Sequence, residues 1–235
     1  FRTNGEILKT SMIRDCFESF PNLTSLTFNC CLFDKTFKFI GYIYFEQLKE
    51  LSFTVWEKDG LHFLSSYLKR MKRLQSFTLQ YKVRGEVSSH VLKHLPSSLK
   101  NLDLNYLSLT KQLVQSLSSL TSIENLTLSF WRKLVDIDSE LCLEMWKILN
   151  QRQLKSLFLT FDSIGPELLK TKNAKFIQNL VWSHLQHLTL MHATLTPKEM
   201  WVLFQSMPNL KKLSLFYSTM DCECSVDDSD AEGKY

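Results

Sequence analysis

The chain contains six histidines and six cysteines, the side chains most often used for catalysis or metal binding. His90 and His94 lie four residues apart in a segment predicted to be helical. That spacing can bind one metal ion, but no third ligand accompanies the pair. Cys222 and Cys224 form a single C-x-C pair, which is too little for a zinc site. The sequence also lacks a glycine-rich phosphate loop and a G-x-S-x-G motif. We therefore expect no enzymatic activity, no cofactor and no metal ion.

Aromatic side chains recur at one position of a repeating pattern, at the carboxyl ends of predicted strands. Aromatic rings bury a large area at low entropic cost, so they are favoured in protein interfaces. The alternative interpretation is that these rings turn inward and cap the core. The predicted partner-binding face and rim consist of Tyr81, Tyr106, Phe130, Phe158, Phe161, His192, Phe216 and Tyr217.

A row of lysines recurs at another position of the same pattern. Such a row can steer an acidic partner or a nucleic-acid backbone, and the alternative is a set of solvated lysines at the border of a sheet. The density of Lys and Arg is below that of a nucleic-acid domain, so nucleic acid is not the expected partner. The predicted basic edge consists of Lys49, Lys100, Lys155 and Lys211, and Glu124 is the acid in this row.

These residues are positioned by the phrase L-x-x-L-x-L, with Phe or Ile as substitutes, which occurs eight times. The phrases are separated by 24 to 31 residues, and they begin near residues 23, 48, 74, 99, 123, 154, 185 and 210. The fourth and sixth positions of each phrase alternate like the buried face of a strand. Each phrase is therefore predicted to form one strand.

The residues between the phrases have helical spacing. In the segment after the seventh phrase, Thr196 can cap a helix, Pro197 suits its first position, and Glu199 completes a capping box. Each unit is thus predicted to be one strand and one helix, which bury their apolar sides only when units stack. The predicted apolar face of this helix consists of Met200, Leu203, Phe204 and Met207.

The phrases resemble leucine-rich repeats, whose consensus continues to Asn or Cys at position nine and an apolar residue at position eleven. Cys31 and Phe33 follow that continuation, whereas Lys58 and Arg84 occupy position eleven and depart from it. The repeat length is similar to that of the ribonuclease-inhibitor-like and F-box-associated subclasses. This resemblance implies an α/β fold, a curved solenoid (horseshoe) of about eight repeats with a parallel concave sheet.

The two ends of the chain differ from the repeats. Residues 6–20 are predicted to form a helix with no strand before it. Residues 221–235 contain six acids and one lysine, which gives a net charge of −5. The whole chain carries +4, so the remaining 220 residues carry +9. We predict a repeat domain over residues 1–220 and an acidic, disordered tail over residues 221–235. The scattered cysteines indicate an intracellular protein, cytoplasmic or nuclear, although a secreted one remains an alternative if a leader was removed.

Together these patterns predict a non-catalytic module that recognises a protein partner. The subclass resemblance implies the substrate-binding domain of an F-box-type ubiquitin-ligase receptor, joined to cullin-type ligase components through an upstream segment. Two alternatives stay open: the ligand-sensing repeats of an innate-immune receptor or secreted effector, and an acidic-tailed protein associated with RNA or chromatin. No run of about 18 apolar residues is present, so we expect no membrane contact.

Overall fold

One open parallel sheet runs through the repeats. The computed structural model describes residues 2–4, 7–8, 15, 17–33, 45–55, 64–65, 67–81, 89–130, 139–161, 181–192, 194–195, 197–216 and 219–220. Its strands are β1 (Arg2–Asn4), β2 (Ile7–Leu8), β3 (Ser25–Phe33), β4 (Glu50–Val55), β5 (Ser76–Tyr81), β6 (Asn101–Leu107), β7 (Asn125–Phe130), β8 (Ser156–Phe161), β9 (His187–Met191), β10 (Thr194–Leu195), β11 (Lys212–Phe216) and β12 (Thr219–Met220). Its helices are α1 (Ser89–Leu92), α2 (Lys111–Ser119), α3 (Ser139–Asn150) and α4 (Pro197–Ser206), with a 3₁₀ turn at Phe45–Gln47.

The strand order confirms the predicted repeats. The main sheet has the order β1-β3-β4-β5-β6-β7-β8-β9-β11, β2 also pairs with β3, and β10 and β12 form a separate pair. Strands β3 to β9 and β11 contain the eight phrases, and equivalent positions are in register. Leu51 of β4, for example, pairs with Phe77 of β5, which pairs with Leu102 of β6. Successive phrases therefore stack as parallel neighbours.

The alternation within each phrase decides which face of the sheet is buried. In β6, Leu102 and Leu104 are buried, whereas Asp103 between them is half-buried. The buried residues of β3 to β9 form one apolar core together with helix residues such as Val114 and Met145, and the half-buried Leu213 and Leu215 of β11 pack against it. The helices therefore pack on the face formed by positions four and six. Among the described residues, no helix covers the opposite face.

Local hydrogen bonds define the ends of α2. The backbone N–H of Leu113 donates to the hydroxyl of Thr110 at 3.2 Å, which is an N-cap interaction. At the other end, the guanidinium of Arg152 donates to the carbonyl oxygens of Leu117 and Ser118. The carbonyl of Leu117 also accepts the N–H of Leu120, the C-cap residue of α2. The last carbonyls of a helix lack donors from the next turn, and here the following repeat supplies a donor to both.

Helix α4 begins at Pro197, as its sequence predicts, but its buried face differs from the prediction by one residue. Met200, Leu203 and Met207 are buried, whereas Phe204 is 48% exposed and Val202 is 5% exposed. The inclusion of Phe204 in the apolar face was therefore wrong. The core-facing stripe is centred on Leu203 and Ser206, which places residue 204 on its margin.

The start of the chain also differs from the prediction. A strand does precede the first helical residues: β1 pairs with β3, with Arg2 opposite Thr27 and Asn4 opposite Asn29. Strand β2 lies where the predicted helix was expected to begin, and only residues 15 and 17–19 of that stretch are described as helical. The reason is that β3 would otherwise present an unpaired edge, whose backbone groups β1 and β2 satisfy.

The predicted tail, residues 221–235, lies outside the described residues. None of the described helices is long and apolar enough to cross a membrane.

Candidate partner-binding surfaces

The side of the sheet that no described helix covers is shared by all eight repeats. We call the residues at positions three, five and seven of strands β3 to β9 and β11 the open face. Its central row is half-buried throughout, and most of its side chains are small hydroxyls. This row consists of Thr27, Ser52, Thr78, Asp103, Thr127, Phe158, Thr189 and Ser214. Small residues here let a partner approach the sheet closely.

Polar side chains of the open face bind one another across neighbouring strands. The hydroxyl of Ser25 donates to a carboxylate oxygen of Glu50 at 2.9 Å. The amide of Asn125 donates to Oδ1 of Asn101 at 2.6 Å. The hydroxyl of Thr54, a buried residue, lies 3.3 Å from Oε1 of Gln80. Because these contacts restrain rotamers before any partner arrives, the face is partly pre-organised.

Asp103 places an acidic group at the middle of the open face. The amide of Asn105 donates to its Oδ1 at 2.8 Å. Burial raises the pKa of the Asp103 carboxyl above its usual value, and the hydrogen bond from Asn105 opposes that shift. Asp103 is therefore a carboxylate held at some energetic cost on an otherwise neutral part of the sheet.

The open face becomes apolar at its β8 to β11 end. Phe158 pairs with Thr127 and Thr189, and Met191 pairs with Phe216. The side chain of Phe216 is 50% exposed. Rings and a thioether on adjacent strands form an anchoring patch of the kind that protein interfaces favour.

His192 lies at the border of this patch. It is exposed and has a φ of 55°, in the left-handed region that few non-glycine residues adopt. Its backbone N–H donates to the carbonyl oxygen of Phe216 at 2.9 Å, which connects the turn after β9 to the end of β11. His192 and Phe216, both predicted rim residues, therefore lie together.

The remaining predicted rim residues divide into three groups. Phe130 is 1% exposed and belongs to the core, so its inclusion in an exposed rim is corrected. Tyr81, Tyr106 and Phe161 lie at or near the carboxyl ends of β5, β6 and β8, and their side chains lie outside the described structure. Tyr217 lies outside the described residues altogether.

Two register shifts change the predicted rim row. In β6 the register shifts between Leu104 and Leu107, so Leu107, rather than Tyr106, pairs with Phe130. In β3 a similar shift pairs Cys31 with Val55. Irregularities of this kind insert one extra residue into a strand. A rim row counted from the phrase is therefore displaced by one residue in repeats one and four.

The predicted basic edge is exposed, and the same backbone hydrogen bond fixes it in successive repeats. All four lysines are exposed, and their backbones take part in a ladder from repeat to repeat. The N–H of Lys100 donates to the carbonyl of Gln75 at 2.9 Å, and the N–H of Glu124 donates to the carbonyl of Lys100 at 2.8 Å. The same bond recurs at Lys155 and Lys211. The edge is thus built by the sheet itself.

Glu124 neutralises the middle of this edge. Its carboxylate lies 3.4 Å from Nζ of Lys100 and 2.8 Å from Nζ of Lys155. The hydrogen bond from Lys155 is the main reason that the pKa of Glu124 is lowered, and Lys100 adds to that effect. Two of the four predicted basic residues therefore share one acid.

A denser basic cluster, which the repeat positions do not predict, lies on the turn before β5. Met71 and Leu74 of this turn are fully buried, whereas their neighbours are exposed. The outward residues are Lys69, Arg70, Lys72 and Arg73. The run K-R-M-K-R in the sequence is the signal that reveals this cluster. The cluster lies in the turn before a phrase, so the recurring positions of the phrase do not predict it.

Two cavities lie along the same edge. One, of about 490 Å³, is lined by Glu46, Gln47, Lys69, Arg70, Lys72 and Arg73. The other, of about 390 Å³, is lined by Glu124, Gln153, Lys155, Ser183, His184, Gln186, Asn209 and Lys211. In the part of the chain that the structure describes, no three His, Cys, Asp or Glu side chains are grouped to hold a metal ion.

Comparison with known proteins finds likenesses among solved structures rather than among sequences. The chain matches no family model and no curated protein sequence. It is similar to the crystal structure of the leucine-rich repeat-containing protein LegL7 from Legionella pneumophila, with 15% identity and a TM-score of 0.47, over 92% of this chain and 90% of that chain. The fold is a leucine-rich-repeat solenoid. That assignment rests on the eight stacked strands of this chain and their register.

Proposed function

We propose that this chain is a non-catalytic protein-recognition module that holds a partner on the open face. The observation that supports the proposal most is a row of small polar residues, covered by no described helix, that adjoins the patch of Phe158, Met191 and Phe216. Such a surface offers close approach along most of its length and aromatic anchors at one end. Both properties suit a polypeptide partner.

The size of the open face is adequate for a specific complex. Eight strands at ~4.8 Å spacing span about 34 Å, and positions three to seven with their borders span about 20 Å. The product, roughly 700 Å², is close to the ~800 Å² that each partner contributes to a standard interface.

The proposal is tested by capturing partners with the tagged full chain and comparing two double variants. Phe158→Ala with Phe216→Ala removes both anchoring rings, and we expect recovery of the main partner to fall at least about tenfold. Trp201→Ala with Phe204→Ala removes two exposed aromatic side chains from α4, which packs on the other side of the sheet, and should leave recovery unchanged. Quantitative mass spectrometry of the captured material measures both.

Equal loss of the partner from both double variants would contradict the proposal, as would equal retention. The melting temperature of each variant serves as the control for folding. A drop of more than a few degrees in the Phe158/Phe216 variant would mean that these rings serve the core. Single Phe216→Ala, at the exposed end of β11, then provides the cleaner comparison.

A finer proposal is that the module selects substrates for an F-box-type ubiquitin ligase. It is supported only by the resemblance of the repeats to the F-box-associated subclass. The test is co-purification of a cullin scaffold and its adaptor with the full-length protein. Their absence, with another partner recovered in quantity, would refute the ligase role and leave the recognition module intact.

A further inference from the structure

Positive charge is concentrated on three neighbouring turns rather than spread along the edge of the sheet. These are the turns that precede β4, β5 and β6, and we call them the basic turn surface. Its seven exposed basic side chains are those of Lys49, Lys69, Arg70, Lys72, Arg73, Lys93 and Lys100. Its two exposed acids are Glu46 and Glu50, so the surface carries a net charge of +5.

Hydrogen bonds hold the three turns side by side. The N–H of Gln75 donates to the carbonyl of Lys49 at 2.7 Å. The hydroxyl of Ser98 donates to the carbonyls of Lys72 and Leu74 at 2.9 and 2.8 Å. The backbones that carry the charges are therefore fixed relative to one another, and the outer strands of the three lie only about 10 Å apart.

Three of these charges have no acidic partner in the part of the chain that the structure describes. Lys100 is bound to Glu124, but Lys69, Lys72 and Arg73 make no ion pair within the described structure. These three line the 490 Å³ cavity together with Gln47. The side-chain nitrogen of Gln47 is buried and has no hydrogen-bond acceptor among the described residues. The lining of the cavity therefore has more hydrogen-bond donors than acceptors. Glu46 is the one acid in that lining.

The limits of the surface favour an acidic polypeptide over a nucleic acid. On the next turn, residues 118–124, the one charged side chain is the acidic Glu124, so the positive region is too short for a duplex. The neighbouring aromatic residues Phe45 and Tyr67 are buried, so the described residues of this surface offer no ring on which a single-stranded base can stack. Alternate side chains of an extended peptide lie ~6.8 Å apart, so two or three carboxylates match this span.

We propose that the basic turn surface binds an acidic polypeptide segment of the partner. The inference rests on the proposed function, because it names the chemistry of a second contact made by the same kind of partner. Carboxylates would enter the cavity between the turns, accept hydrogen bonds from Lys69, Arg73 and Gln47, and replace the missing counter-charges.

The test uses the full chain and a fluorescein-labelled decaglutamate peptide, with fluorescence anisotropy as the readout at fixed ionic strength. We expect the triple variant Lys69→Gln, Lys72→Gln and Arg73→Gln to weaken binding at least about tenfold. The matched control, Lys111→Gln, Lys147→Gln and Lys211→Gln, removes three exposed charges that lie outside the basic turn surface and the open face. It should change the affinity less than about threefold.

Three results would overturn the inference. Equal weakening by the two triple variants would show attraction to net charge without a site. Failure of the peptide to bind the unmodified chain would exclude an acidic-peptide site. Tighter binding of a labelled ten-nucleotide oligothymidine, lost in the Lys69/Lys72/Arg73 variant, would assign the surface to nucleic acid.

A further measurement separates this inference from the proposed function. The Phe158/Phe216 variant should bind decaglutamate as the unmodified chain does, because its changes lie on the open face. If decaglutamate binds but partner capture is independent of the open face, the proposed function fails and the inference stands. If capture depends on the open face but decaglutamate does not bind, the inference fails and the proposed function stands.

Discussion

Asp103 shows how a single side chain can be retained at the expense of stability. It lies at the centre of the open face, half-buried, with Asn105 as its hydrogen-bond donor. Burial makes its folded-state pKa higher than the pKa of the same group in the unfolded chain. Ionisation therefore favours the unfolded state, so the Asp103 carboxylate lowers the stability of the fold at neutral pH.

We predict that Asp103→Asn raises the free energy of unfolding at pH 7. The folded protein binds the Asp103 proton more tightly than the unfolded chain does, so the stability contributed by Asp103 is largest below pH ~3.8 and declines as pH rises through the folded pKa. Asn carries no charge and keeps an oxygen that can accept the bond from Asn105. Urea denaturation at pH 7 and pH 3 should show a stabilising difference at pH 7 that vanishes at pH 3.

Glu50→Gln is the control for this prediction, because it removes an exposed carboxylate from the same face. A stabilisation by Asp103→Asn that is equal at both pH values would contradict the argument from the raised pKa. Such a result would point instead to the shape or packing of the new side chain.

At the scale of single elements, strands were easier to predict from sequence than their irregularities. The L-x-x-L-x-L phrase identifies β3 to β9 and β11, because its apolar positions four and six lie on the core side of the sheet, fully buried in β3 to β9 and half-buried in β11. The phrase carries no information about the register shifts in β3 and β6, which arise where the strand continues past the sixth position. Strand β1 was missed because its three residues, Arg2 to Asn4, contain no apolar alternation.

The sequence predicts part of the basic edge and of the aromatic rim, because their residues recur at fixed positions of the phrase. Lys155 and Lys211 were identified because they recur at one position of the phrase, and the structure exposes both. Whether such a lysine forms an ion pair depends on its distance from an acid, as for Lys155 and Glu124, and the sequence does not give that distance. The burial of Phe130 was equally hidden, because an aromatic residue at the end of a strand can face either side.

Helix α2 supplies a prediction at the element scale. Thr110→Ala removes the hydroxyl that accepts the N–H of Leu113, and loss of such a cap costs about 1 kcal/mol of unfolding free energy. Thr110→Ser keeps the hydroxyl and should cost a few tenths of that amount. Chemical denaturation of both variants measures the difference. Equal destabilisation by Ala and Ser would mean that the methyl group of Thr110, rather than its hydroxyl, is important.

At the scale of the whole molecule, the distribution of charge differs from the total of +4. Residues 1–220 carry a net charge of +9, and the basic turn surface alone carries +5. Residues 221–235 carry −5. An acidic partner is therefore attracted by one part of the chain and repelled by another. The tail should moderate the rate of association whatever position it takes.

We predict that neutralising the six acids of residues 221–235, by Asp→Asn and Glu→Gln, raises the association rate of decaglutamate. The net charge changes from +4 to +10, and the effect should be large at low salt and small at about 0.5 M salt, where charges are screened within a few Å. Stopped-flow fluorescence at two salt concentrations measures it. An increase that is equal at both concentrations would contradict an electrostatic origin.

The last strand of the sheet has a consequence for how the chain loses its order. Among the described strands, β11 has a single neighbour in the main sheet, β9. Its Leu213 and Leu215 are half-buried, whereas Leu102 and Leu104 of β6 are buried. In a stack where each repeat is stabilised by its neighbours, the repeat with one neighbour opens most often. Amide hydrogens should therefore exchange with solvent fastest in β11 and more slowly toward β6. Since Phe216 belongs to that fraying end, a partner that binds there would also slow the exchange of the strand beneath it.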